Sequence, residues 1–133
     1  MVIDSSALLA IVFGEEDRGK FRDAISRSAE EGLKTYIPAS VLVEAGIAAE
    51  ARGYGKQLDG VLARIPAEIA PLDRVVAELA RKAYRQFGRG FHKAALNIGD
   101  CMSYATAQYL QLPLLYKGRD FEQTDVPSAL QPS

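Results

Sequence analysis

The chain has 133 residues, 48% hydrophobic and 25% charged, with 16 basic against 17 acidic side chains. That balance suits one globular domain of soluble type and excludes fibrous, low-complexity and intrinsically disordered classes. Charge so nearly cancelled sets up no global field for a polyanion or a lipid surface.

The opening Met1-Val2-Ile3-Asp4 lacks the basic start of a signal peptide, so a cytoplasmic location is expected. Val2-Ile3 reads as a minimal buried strand stopped by Asp4, and Ser5-Ser6 as a cap for a helix over 7–12 that ends near Gly14. That apolar run, Ala7 to Phe13, is far shorter than the about 20 residues needed to cross a bilayer. Phe21, Ala24, Ile25, Ser28 and Ala29 fall at helical spacing, which predicts a second helix over 15–31 with acids at its start. Tyr36-Ile37 is a short strand halted by Pro38. Helices follow over 40–51 and 56–64, separated by Gly53 and Gly55. Ile69 and its neighbours, between Pro66 and Pro71, read as a third strand.

Asp73 opens a long helix to residue 86, and Gly88 and Gly90 mark a loop. A helix over 100–112 precedes Pro113, and 114–116 completes the pattern as a buried strand. Short apolar strands alternating with helices predict an α/β fold with a mostly parallel sheet covered on both faces. The whole of 1–133 reads as one domain, with 126–133 a loosely held tail. Cys101, the only cysteine, allows no internal disulfide and suits a reducing compartment.

In open parallel sheets, sites gather beyond the carboxyl ends of the strands. Asp4 follows the first strand and Asp120 follows the last, so both belong at that edge. Taken alone, Asp4 reads sooner as a helix cap, and Asp100 as a first-turn acid. Glu44 is less ordinary: it shares a helix face with Ser40, Val41, Ile47 and Ala48, and no Lys or Arg stands one turn away. Were these carboxylates to converge, a cation would be needed to keep them ionised. Oxygen donors select magnesium or manganese, and a single His and a single Cys argue against a tetrahedral zinc site. A local asymmetry accompanies them. Between Glu78 and Asp100 there is no acid, while Arg81, Lys82, Arg85, Arg89 and Lys93 all fall inside. That stretch reads either as a solvated helix face or as a surface for RNA.

Four segments together resemble the PIN-domain ribonucleases, and the VapC toxins of bacterial toxin–antitoxin pairs in particular. They are Val2-Ile3-Asp4-Ser5-Ser6-Ala7-Leu8, Pro38 to Ala45 around Glu44, Leu96 to Ala105 around Asp100, and Leu114 to Phe121 with its Asp120-Phe121 pair. The resemblance covers residues 2 to about 126. It implies a three-layer α/β/α sandwich and a magnesium- or manganese-dependent endoribonuclease acting on RNA, often transfer or ribosomal RNA. It further implies inhibition by a VapB-like antitoxin protein, and a homodimer. By that resemblance Asp4 and Asp100 are the principal metal ligands, Glu44 binds or orients a second metal or a water, and Ser6 supports the site. Many PIN domains place an acid three residues before the closing Phe. Here that position is Gly118, so Asp120 is the substitute, with Asp125 a further acid nearby. Arg85, Arg89, His92 and Lys93 are expected to hold the RNA backbone. The competing expectations are a PIN-fold RNA-binding or interaction module without catalysis, and a receiver-like magnesium-dependent phosphoacceptor in which Lys117 follows the last strand.

Overall fold

The computed structural model describes residues 1–130. In chain order the elements are β1 (Val2–Ile3), α1 (Ser5–Val12), α2 (Arg18–Glu30), β2 (Thr35–Pro38), α3 (Ala39–Ala51), α4 (Gly55–Arg64), β3 (Ala67–Ala70), α5 (Arg74–Phe87), α6 (Ile98–Leu110) and β4 (Leu114–Leu115). The four strands form one parallel sheet in the order β3-β2-β1-β4.

Successive strand residues point to opposite faces, so each two-residue strand feeds both layers of core. Ile3 and Leu115 pack with Leu8, Ile11, Phe21 and Ile25 of α1 and α2 and with Val41 of α3. Val2 and Leu114 pack on the other face with Val76, Ala83, Tyr104 and Ala105 of α5 and α6. The α/β/α sandwich expected of the sequence is thus formed, with β1 and β4 at its centre of burial. Among the described residues no helix is long and apolar enough to cross a membrane.

Several boundaries move for identifiable reasons. The cap of α1 is Asp4 itself, whose side chain accepts the Ser6 N–H, while Ser5 and Ser6 lie in the first turn. Helix α2 starts at Arg18, not residue 15, because Gly14 turns the chain at φ 67° and the Arg18 N–H closes a turn on the Glu15 carbonyl. Glu15 and Asp17, ahead of the helix, pair with Lys117 at 3.2 and 3.1 Å. Helix α6 starts at Ile98, capped by Asn97, two residues before the expected start at Asp100. The end of the described chain is not loose. The Leu114 N–H donates to the Pro127 carbonyl at 2.8 Å and the Ala129 N–H to the Leu114 carbonyl at 2.9 Å. These bonds extend the sheet beside β4 and satisfy its open edge; residues 131–133 of the expected tail lie outside the described residues.

Ser103 of α6 is fully buried and its hydroxyl has no partner among the described residues. A buried, unpaired hydroxyl destabilises, and alanine is the better helix former. Ser103→Ala should therefore raise stability by about 1 kcal/mol, read as a higher urea midpoint with an unchanged slope.

Candidate active site

Asp4 stands where β1 runs out, 2% exposed. Its N–H donates to the Leu115 carbonyl at 2.9 Å, which locks it beside the end of β4. Its Oδ2 accepts two hydrogen bonds, from the Ser6 N–H at 3.1 Å and the Ser6 hydroxyl at 2.6 Å. The Ser6 Oγ in turn accepts the Lys117 N–H at 3.0 Å, so one hydroxyl ties the start of α1 to the loop after β4. Ser6 thus orients Asp4 by contact. The other carboxylate oxygen, Oδ1, is buried and has no partner among the described residues. An unpaired carboxylate oxygen out of water is costly unless a cation or donor meets it.

Asp100 arrives from the amino end of α6 in a reciprocal cap. Its N–H donates to Asn97 Oδ1 at 2.9 Å, and the Asn97 N–H donates to Asp100 Oδ2 at 3.1 Å. Burial pushes the Asp100 carboxyl up to about 6, against the lowering effect of the Asn97 bond. The negative charges of Asp4, Asp120 and Glu44 push it further in the same direction. Three of the acids singled out in the sequence therefore bear on the fourth, Asp100, although they come from four separate segments. Among the described residues no three His, Cys, Asp or Glu side chains form a ready-made cluster around one ion. The charges of the other acids reach Asp100 without the carboxylates closing into a cage.

Glu44 lies on the exposed side of α3 and accepts a short hydrogen bond from the Ser5 hydroxyl. Its carboxylate also lies directly over Gly99, where a Cβ would fall inside van der Waals contact of Oε2. The glycine is helical, so alanine there favours the helix by about 0.5–1 kcal/mol. Only the flexible end of Glu44 has to yield. Gly99→Ala is thus expected to hold or raise the thermal midpoint while displacing Glu44, and to lower activity about ten-fold or more, the lower bound for disturbing a ligand's support.

The remaining candidates divide. Asp120 is exposed, just before the buried Phe121, and its charge reaches Asp100. Asp125 is turned elsewhere, accepting the Tyr104 hydroxyl. Arg85, Arg89 and Lys93 are exposed at the end of α5 and in the loop before α6. His92 in that loop is half-buried: its Nδ1 accepts the Ala94 N–H at 3.0 Å and its ring meets Phe87 edge-on. Cys101 is 3% exposed, and burial together with the Asp100 charge pushes its thiol up to about 11, which leaves it unreactive at neutral pH. Sequence reading passed over Ser5, Asn97 and Gly99. Asn97 was findable, since Asn-x-x-Asp ahead of an apolar run is a capping signature; Ser5 and Gly99 act only through Glu44, far away in the chain.

A parallel α/β/α sandwich with acids from β1, α3, α6 and the post-β4 loop gathered at the carboxyl edge of the sheet is the architecture of a nuclease-type PIN domain. The PIN domain family model matches residues 1–127. The chain is 37% identical to Ribonuclease VapC30 of Mycobacterium tuberculosis, over 99% of this chain and 100% of that protein. It is 43% identical to Ribonuclease VapC of Mycolicibacterium smegmatis, over 95% of this chain and 97% of that one. The crystal structure of VapBC2 from Rickettsia felis bound to a DNA fragment from their promoter shares the fold, with a TM-score of 0.69 over 96% of this chain and 94% of that one at 11% identity. The chain belongs to the PIN domain family, in its VapC branch.

Proposed function

We propose that the chain is a metal-dependent endoribonuclease, the toxin of a toxin–antitoxin pair, held inactive by a VapB-like antitoxin. The observation that carries the reading is the buried, unpartnered Asp4 Oδ1 next to a second carboxyl, Asp100, raised to about 6 by burial and by surrounding acids. All the donors are hard oxygens, the set that suits magnesium or manganese. Asp4 and Asp100 would hold the ion, and Glu44, steadied by Ser5, would bind a second ion or orient a water. A divalent cation, when bound, supplies a water of lowered pKa and charge neutralisation at the scissile phosphate. The residues of the chain do the positioning. Ser6, itself held by the Lys117 N–H, fixes Asp4 Oδ2 and leaves Oδ1 without a partner among the described residues, and Asn97 fixes Asp100. Arg85, Arg89, His92 and Lys93 would form the cationic rim for an RNA backbone, with transfer or ribosomal RNA as the substrate class and a homodimer as the working unit.

The ribonuclease names of the relatives and the VapB–VapC assembly of the structural neighbour support this reading over a silent interaction module. The receiver-like alternative needs a free lysine beside the first-strand acid. Lys117 instead has its ammonium on Glu15 and Asp17. The test is incubation of the purified, antitoxin-free chain with end-labelled transfer and ribosomal RNA in magnesium or in EDTA. Cleavage in magnesium alone, leaving 5′-phosphate and 3′-hydroxyl ends, is expected. Cleavage that persists in EDTA, or no cleavage of any RNA with metal present, would count against it.

A further inference from the structure

The end of α5 and the loop after it build a rigid shelf that the acidic pocket does not use. Gly88 has no side chain where the Tyr84 ring and carbonyl press in, and the Tyr84 hydroxyl donates to the Arg89 carbonyl at 3.1 Å. The N–H groups of Phe91 and His92 both return to the Gly88 carbonyl, at 2.9 and 3.0 Å. At the base of the loop, Arg89 N–H donates to the Leu96 carbonyl and Leu96 N–H to the Phe87 carbonyl, each at 3.1 Å. On this frame Phe91 stands 64% exposed. It is steadied from one side by Tyr84, with ring centroids 5.6 Å apart and planes at 76°.

An aromatic ring held in water by a well-bonded loop is not filling a core; loops of this kind carry function. What surrounds the ring points to its occupant. Arg85, Arg89 and Lys93 are exposed beside it and, among the described residues, none of the three is in an ion pair. No acid lies between Glu78 and Asp100. Unneutralised cations next to an exposed aromatic ring match a single nucleic-acid strand, with phosphates on the cations and an unstacked base on the ring. Tyr84 and Arg85 also border a groove of about 570 Å³ with Ile98 and Met102, which leads to the start of the helix that carries Asp100.

We propose that Phe91, on the Tyr84 shelf with Arg89 and Lys93 beside it, is a stacking platform for one unpaired base of an RNA strand whose scissile phosphate lies at Asp4 and Asp100. The inference rests on the ribonuclease reading and adds to it the residue that would hold one base of the strand.

The experiment measures binding in EDTA of a short fluorescein-labelled RNA of mixed sequence, single-stranded or annealed to its complement. Wild type, Phe91→Leu and Phe91→Trp are compared, with thermal midpoints as a check that this exposed position leaves the fold alone. Base stacking of this kind predicts an about 5- to 150-fold loss of single-strand affinity in Phe91→Leu, little change for the duplex, and retention in Phe91→Trp. A double Arg89→Gln, Lys93→Gln chain should flatten the salt dependence of single-strand binding by about 1.4 in slope. Equal single-strand affinity in wild type and Phe91→Leu overturns the proposal. So does equal loss for both RNAs, and so does a change in self-association with RNA affinity unaltered, which would make the ring a protein contact. Cleavage assays in magnesium separate the two levels. Activity lost in Asp100→Asn but untouched in Phe91→Leu overturns the platform alone, whereas a wild type without metal-dependent cleavage overturns the ribonuclease reading and the platform's place beside the scissile phosphate.

Discussion

An Asp4→Asn chain is expected to cleave RNA more than about a hundred-fold more slowly than wild type, with no loss of stability. The size follows from comparison: disturbing a group that merely supports a metal ligand costs about 10–100-fold, and here the ligand itself loses its charge. Asparagine keeps an oxygen for the two hydrogen bonds from Ser6, so the start of α1 stays capped. The change falls on the other position, the buried Oδ1 that no group among the described residues satisfies. Ser6→Ala should give the intermediate result, an about 10–100-fold loss, because Asp4 keeps its charge and loses its orientation. The pair of variants, assayed for kcat/KM and for thermal midpoint side by side, separates holding the ion from aiming the ligand. A fall in midpoint that accounts for the lost activity would reduce both residues to caps.

The second large effect is on stability, and its sign is opposite to the effect on activity. Asp100 is raised from 3.8 to about 6 by burial and by Asp4, Asp120 and Glu44. A carboxyl whose folded value lies above its unfolded one binds its proton more tightly in the native state. Stability is therefore lost as pH rises from the unfolded value through the folded one, and below both values nothing is lost. The full shift corresponds to about 3 kcal/mol. Because the carboxyl is only partly withdrawn from water, screening reduces this to about 1–2 kcal/mol. Asp100→Asn keeps an oxygen for the Asn97 N–H, so the capping box survives. In EDTA at neutral pH the variant should melt about 3–8 °C above wild type. Near pH 4 the two should converge. Added magnesium should raise the wild-type midpoint more than the variant's, since the variant keeps Asp4 but lacks the second carboxylate that would share the ion. Melting curves at two pH values, with and without metal, check all of these at once.

Those opposed signs also explain which parts of the site could be read from the sequence. Asp4 was legible because a carboxylate that stops a buried apolar pair must stand at the edge of a sheet. Glu44 was legible because no Lys or Arg stands one turn away to pair it. The face it shares proves to be exposed, with Ile47 at 66%, and its partner is the Ser5 hydroxyl. Asp100 was invisible by itself, since a first-turn acid needs no explanation, and it gained meaning only with the other motifs. The parts that were not legible are contacts across the chain. Ser5 meets Glu44 39 residues later, the Ser6 hydroxyl receives the Lys117 N–H 111 residues later, and Lys117 reaches back 100 residues to Asp17. Local pattern carries no information about such closures. The same blindness made 126–130 look like a loose tail, because Pro127 and Ser128 break any local period, while the segment is held by backbone bonds to Leu114 and by packing of Val126, Ala129 and Leu130. The fold was legible for the opposite reason: strand and helix periods are local, and a parallel sheet is the architecture that covers short apolar strands on both faces.

The most direct test of the account is a calorimetric titration of manganese into wild-type and Asp4→Asn chains at neutral pH. Saturable binding to the wild type that is lost in Asp4→Asn, on a fold that melts no lower, is the predicted result. Equal binding to both chains, or none to either, would contradict the assignment of the buried Asp4 oxygen as the anchor of a metal-dependent nuclease.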